Sequence, residues 1–183
     1  LIPPPYVITI RETMKEISFR DDVLPLKNVL FRLALRITLN RAAAEDIVQE
    51  TLIKVWNRRD SWAEIDSIEA FSLAICKNLA LDALRKNAHR TETDGTLPED
   101  RPDTSSTPYE QALSADRMAI VRRLVDALPA KQRMCMQLRD FEGKAYREIA
   151  DILAISEEQV KVSIFRARQT IKQKFNEFDK YGL

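Results

Sequence analysis

Apolar residues recur through most of this chain at steps of three and four, and little interrupts them. There are three glycines in 183 residues, and alternating runs of β-branched residues are scarce. A chain patterned this way offers few hairpin turns and many helix faces. The expected fold class is all-α. The rhythm lapses over about 90–110, where Gly95, Pro98, Pro102 and Pro108 sit among Ser, Thr and acids. Between 91 and 110, six acids (Glu92, Asp94, Glu99, Asp100, Asp103 and Glu110) face one base, Arg101. Such a composition cannot bury a core. The expectation is two small helical-bundle domains, 14–89 and 111–183, joined by a flexible acidic linker over 90–110. Residues 1–13 are expected to be an upstream or foreign extension. They do not begin with Met, Pro3, Pro4 and Pro5 forbid a helix, and Met14 opens a plausible native start.

The most informative stretch is "YREIADILAISEEQVKVSIFRAR", Tyr146 to Arg168. Ile149, Ala150, Ile152 and Leu153 make a short amphipathic helix. Ser156 is a good N-cap, and Gln159 three residues on completes a capping box, so a second helix starts near Glu157. Two helices this close form a helix-turn-helix. The turn falls on Ala154, which must then adopt a positive φ at a cost of about 1 kcal/mol. On a wheel, Val160, Ile164, Ala167 and Ile171 face the core. Glu158, Lys161, Val162, Phe165, Arg166, Gln169 and Lys172 face outward. Exposed Val162 and Phe165 suit a dimer contact. Mixed with Lys161 and Arg166, they suit a DNA major groove better, because it offers guanine acceptors and thymine methyls together. Lys144 and Arg147, around the start of the preceding helix, are placed to reach phosphates.

In the N-terminal half, "AEDIVQETLIKVW" turns Val48, Thr51, Leu52 and Val55 one way. Asp46, Gln49, Glu50, Ile53 and Asn57 face the other way. An isoleucine among acids and amides points to a protein partner, against the alternative of a solvated face with one stray apolar residue. A loop with Trp62 follows, then Ser67 as N-cap of a long helix. Asn78, Asp82, Arg85 and His89 form a polar stripe on that helix, and Lys77, Arg85, Lys86 and Arg90 make its end basic. Such a face can track a phosphate backbone, or simply place favourable charge at a helix C-terminus.

Net charge is +1 and is silent about nucleic acid, but residues 131–175 hold ten Lys or Arg against six acids. Cys76 and Cys135 sit in apolar helical contexts and read as reduced core thiols. No cysteine or histidine spacing suggests a metal site, and no cofactor is expected. With His89 the only histidine, and with no Gly-rich phosphate loop or nucleophile elbow, an enzyme is not expected. No apolar run approaches the ~20 residues of a membrane helix, so no membrane insertion is expected. No basic start precedes an apolar core at the N-terminus, which makes the cytoplasm the expected compartment.

The segments "LFRLALRITLNRAAAEDIVQETLIKVW", "SLAICKNLALDALRK" and "LPAKQRMCMQLRDFEGKAYREIADILAISEEQVKVSIFRARQTIKQKF" resemble the extracytoplasmic-function (ECF) sigma factors of bacterial RNA polymerase, in the sigma-70 family. The resemblance runs from about Leu26 to Phe175. It implies a region 2-like first domain that binds the polymerase core at the β′ clamp helices, through Asp46, Gln49, Glu50 and Ile53. It implies that Trp62, Lys77, Asn78, Arg85 and Lys86 meet the opened minus-10 element, with one base flipped out. It implies a region 4-like second domain, near the β flap, reading the minus-35 element through Lys144, Arg147, Ser156, Lys161, Val162, Phe165 and Arg166. An anti-sigma factor is a common partner in the family. Cys76 and Lys77 replace the family's usual Ala and Arg, Ala154 replaces Gly, and the wording around Trp62 is unusual. Two rivals remain at this stage. A stand-alone helix-turn-helix regulator predicts tight duplex binding by the protein alone. A helical adaptor predicts none.

Overall fold

The computed structural model describes residues 17–94 and 110–181. Among these the chain is helical throughout, with no strand, in agreement with the all-α expectation. The expectations for residues 1–13 and for the linker over 95–109 lie outside the described residues, as does that for the His89 side chain.

A π-helical turn, Phe19–Val23, opens the described chain. Ser18 caps it by accepting from the Asp21 N–H at 3.3 Å. A 3-10 turn, Leu24–Leu26, carries Pro25 at its start, where a missing N–H does no harm. Helix α1 (Lys27–Thr38) ends on Leu39 in a left-handed conformation, φ 55°. Asn40 then caps α2 (Arg41–Asn57), its Oδ1 accepting from Ala43 N–H at 2.8 Å. A 3-10 turn, Arg59–Glu64, leads to α3 (Ile68–Asp94), capped by the Ser67 hydroxyl 3.2 Å from Ala70 N. The C-terminal half holds α4 (Glu110–Asp126), α5 (Ala130–Met136) with a π-helical continuation Gln137–Phe141, α6 (Tyr146–Leu153) and α7 (Glu157–Tyr181).

Two boundaries differ from expectation. Helix α3 runs five residues past 89, because nothing between 90 and 94 breaks a helix before Gly95. Helix α4 begins at Glu110 rather than 111.

The larger difference is in the core. Each half was expected to bury its own. Instead, one buried cluster takes Leu30, Leu33 and Ile37 from α1, Leu73 and Cys76 from α3, and Leu138, Ile149, Ile152, Val160 and Ile164 from the C-terminal half. Helix α1 packs on α5, and α3 packs on α6. A chain this short gains by merging two modest cores, since burial scales with enclosed volume. Cys76 and Cys135 are both buried and unbridged, as expected for core thiols. Cys76 Sγ donates to Leu30 O at 3.4 Å, and burial pushes its pKa up to about 12. No helix among the described residues is long and apolar enough to cross a membrane.

Candidate nucleic-acid interface

The C-terminal site is built by one short turn. Ala145 has no side chain to cap α6, so Glu148 reaches back and accepts its N–H at 2.7 Å. Helix α6 buries Ile149, Ala150, Ile152 and Leu153. It stops at Ala154, left-handed at φ 54° and ψ 52°, and Ile155 N–H closes the turn on Ala150 O at 3.1 Å. Ser156 then starts α7, its hydroxyl 3.3 Å from Gln159 N. Only half of the expected capping box forms: the Gln159 side chain accepts from Lys131 Nζ at 3.1 Å, from α5.

With that start, α7 buries Val160, Ile164 and Ala167, as the wheel requires. Val162 and Phe165 stand 45% and 63% exposed. Lys161 and Arg166 are exposed beside them, with Ser156, Arg147 and Lys172. Tyr146 stiffens the approach: Arg139 lies 4.6 Å from its ring centre, and Lys161 Nζ lies 5.9 Å away. The Glu158 carboxyl is held below its usual range by its own backbone N–H and the Ser156 hydroxyl. It therefore stays charged at the edge of the cationic face. Arg168, also on α7, is turned away into an ion pair with Asp140.

Lys144 is placed differently from expectation. Its ammonium lies 2.6 Å from Glu69 Oε2 on α3, and its side chain is only 15% exposed. The sequence spacing could not reveal this, because the two residues sit in different halves.

In the N-terminal half, α2 buries Val48, Thr51 and Val55 and exposes Asp46, Gln49, Glu50 and Ile53, the last 59% exposed. Trp56, not singled out from the sequence, joins this surface. Its ring is partly exposed, with Arg59 stacked at 4.9 Å and the Phe19 edge at 5.1 Å. A residue three positions after an exposed one on a helix shares its side, and that was the available signal.

On α3, Asn78, Arg85 and Lys86 are exposed, with Arg85 paired to Asp82 at 3.1 Å. Lys77 and Trp62 require correction. Lys77 is buried, and burial lowers the pKa of its ammonium. Helix α3 is covered by α1 and α2 on one side and α6 on another, which encloses Lys77 while the stripe of Asn78, Asp82 and Arg85 stays exposed. Trp62 does not sit in an open loop. It is buried with Val23 and Val55, its Nε1–H donates to Val55 O at 3.2 Å, and Phe19 stacks on it.

Known proteins resemble this chain in sequence and in fold. The sigma-70 region 2 pattern matches residues 23–90, and the sigma-70 region 4 pattern matches residues 118–171. The ECF RNA polymerase sigma factor SigL of Mycobacterium tuberculosis is 31% identical over 79% of this chain and 81% of its own length. The ECF RNA polymerase sigma-E factor of Salmonella typhimurium is 31% identical over 70% of this chain and 72% of its own. The probable RNA polymerase sigma factor RfaY of Xanthomonas campestris pv. campestris is 31% identical over 85% of this chain, which spans only 41% of that relative's length. Among solved structures, the sigma factor RpoE in complex with the anti-sigma factor NepR from Bartonella quintana matches with a TM-score of 0.70 at 24% identity. That match covers 88% of this chain and 98% of RpoE. CnrH in complex with the cytosolic domain of CnrY matches with a TM-score of 0.61 at 19% identity, over 87% and 88%. At such identities these two carry the fold alone.

Proposed function

The chain belongs to the extracytoplasmic-function sigma factors of the sigma-70 family, and from that premise we propose how its surfaces divide the work of promoter recognition. Sigma factors are transcription initiation factors, and the covalent chemistry belongs to the polymerase. The α7 face of Lys161, Val162, Phe165 and Arg166 lies in the major groove of the minus-35 element, with Ser156 and Arg147 on the flanking backbone. Asn78, Arg85 and Lys86 of α3 hold the opened minus-10 strand. The α2 face of Asp46, Gln49, Glu50 and Ile53, extended by Trp56, docks on the β′ clamp helices of core polymerase, and the C-terminal half meets the β flap. The protein works in the cytoplasm, and an anti-sigma factor is its natural antagonist.

One observation carries this reading. The helix-turn-helix presents two cations and two large apolar side chains on one exposed strip of its second helix. Water is a poor partner for Phe165, whereas a groove lined with thymine methyls is a good one. Run-off transcription with core polymerase, on fragments including the sequence upstream of the protein's own gene, tests the reading. Discrete starts that require the protein are expected. Specific duplex binding by the protein alone, with no dependent starts, would instead favour a stand-alone regulator.

A further inference from the structure

Helix α7 stays cationic past the two apolar side chains read above as meeting the major groove. From Gln159 to Asn176 it carries five Lys or Arg and no acid. The fold engages two of the five: Arg168 pairs with Asp140, and Lys161 Nζ lies 4.0 Å from Glu157. Arg166 and Lys172 are exposed and have no such partner among the described residues. Both line a groove between α5 and the middle of α7, together with Phe165, Gln169 and Gln173 of α7 and Gln132 of α5. No acid lines it. Gln132 Oε1 is buried without a hydrogen-bond partner among the described residues. No bond within the fold fixes that carboxamide, and its two N–H donors are available to a bound anion.

A groove walled by cations and amides suits an anion, and its place along α7 says which one. Lys161 and Lys172 lie about 16 Å apart along the helix axis, at ~1.5 Å per residue. The major groove of a duplex is about 12 Å wide. A recognition helix enters that groove with its N-terminal turns. With Lys161 among the bases, α7 has left the groove by Lys172, and the surface beside it there is a ridge of phosphates.

We propose that the groove between α5 and α7 seats the phosphate backbone of the upstream duplex, held by Lys172 from one helix and Gln132 from the other. The inference rests on the reading of the α7 face as the minus-35 reader and adds contacts of a different kind. Lys161 and Arg166 choose among bases. Lys172 and Gln132 grip a phosphodiester, which fixes the register of α7 on the duplex and carries no sequence information itself. Continuity with the base-reading strip, which shares Phe165 and Arg166 with the groove, selects DNA over an acidic protein surface.

The test uses the full chain assembled with core polymerase, on promoter fragments found in the run-off assay. Lys172→Gln removes one charge from an exposed side chain. It is expected to weaken promoter binding about three- to tenfold, by a similar factor on promoters with different upstream bases, and to lower the salt slope by about 1. Ethylation of individual phosphates locates the contact. One phosphate beside the minus-35 element, whose ethylation blocks wild type, is expected to become indifferent in Lys172→Gln, and the same phosphate in Gln132→Leu. Lys174→Gln, an exposed cation of α7 outside the groove, controls for net charge and is expected to change binding less than twofold. Equal effects of Lys172→Gln and Lys174→Gln, or an unchanged ethylation pattern, overturn the backbone seat. Fewer starts from Lys172→Gln with promoter binding intact also overturn it and give the groove to a protein partner. In each of these cases wild-type starts leave the sigma reading standing. If wild type itself directs no starts, the reading of the α7 face fails, and the backbone seat falls with it.

Discussion

Ala154 shows how much one residue sets here. The turn between α6 and α7 needs a left-handed residue, and an alanine supplies it at φ 54°. Its methyl group is exposed, so the strain meets little packing in return. Ala154→Gly is therefore expected to raise unfolding free energy by about 0.5–1 kcal/mol, read as a higher urea midpoint with unchanged slope. A lower midpoint would mean that the methyl matters to packing after all. Trp62 is the opposite case, a large side chain whose role lies inside. Trp62→Ala removes a buried ring and its bond to Val55 O, and should cost about 3 kcal/mol. A variant that melts like the wild type yet opens promoters poorly would return Trp62 to the DNA surface.

Helices α2 and α7 each separate an inner from an outer face cleanly, and their outer faces invite distinct tests. Ile53 touches solvent over most of its surface, so Ile53→Asp should leave the melting curve in place while core polymerase no longer co-purifies. Retained co-purification would remove Ile53 from that interface. Arg166→Ala should weaken recognition of one upstream element by about 1–3 kcal/mol, seen as loss of start-site usage relative to promoters with other upstream sequences. Uniform loss across promoters would assign Arg166 to backbone contact. Helix α3 is less simple, because it is packed from two sides. The periodic polar stripe that exposes Asn78 and Arg85 does not extend to Lys77, which is enclosed.

Across the whole molecule, the two halves are held by groups far apart in sequence, and their packing is expected to loosen in acid. Arg32 beside it holds the Glu142 carboxyl below the usual carboxylate range, with Gln137 and the charge of Lys144 assisting and burial opposing. A carboxyl lowered on folding contributes stability that is complete above its unfolded value, about 4.3. That contribution drains away as pH falls below 4.3 toward the folded value. X-ray scattering should accordingly show constant dimensions from pH 7 to about 5 and expansion only further into acid. Arg32→Gln should reduce that acid dependence, and expansion beginning near pH 6.5 would point to another group. The helices, the faces of α2 and α7, the Ala154 turn and the Ser156 cap were all legible in the residue order, because each depends on neighbours within about four positions. Family membership was legible for the same reason, since it resides in those local patterns. The merged core, the enclosure of Lys77 and Trp62, and the capture of Lys144 by Glu69 were not. Arg32 and Glu142 are separated by 110 positions, and no local periodicity encodes which distant helix will cover a given stripe. That choice is made by the packing of whole faces, when two cores too small to stand well apart close on each other.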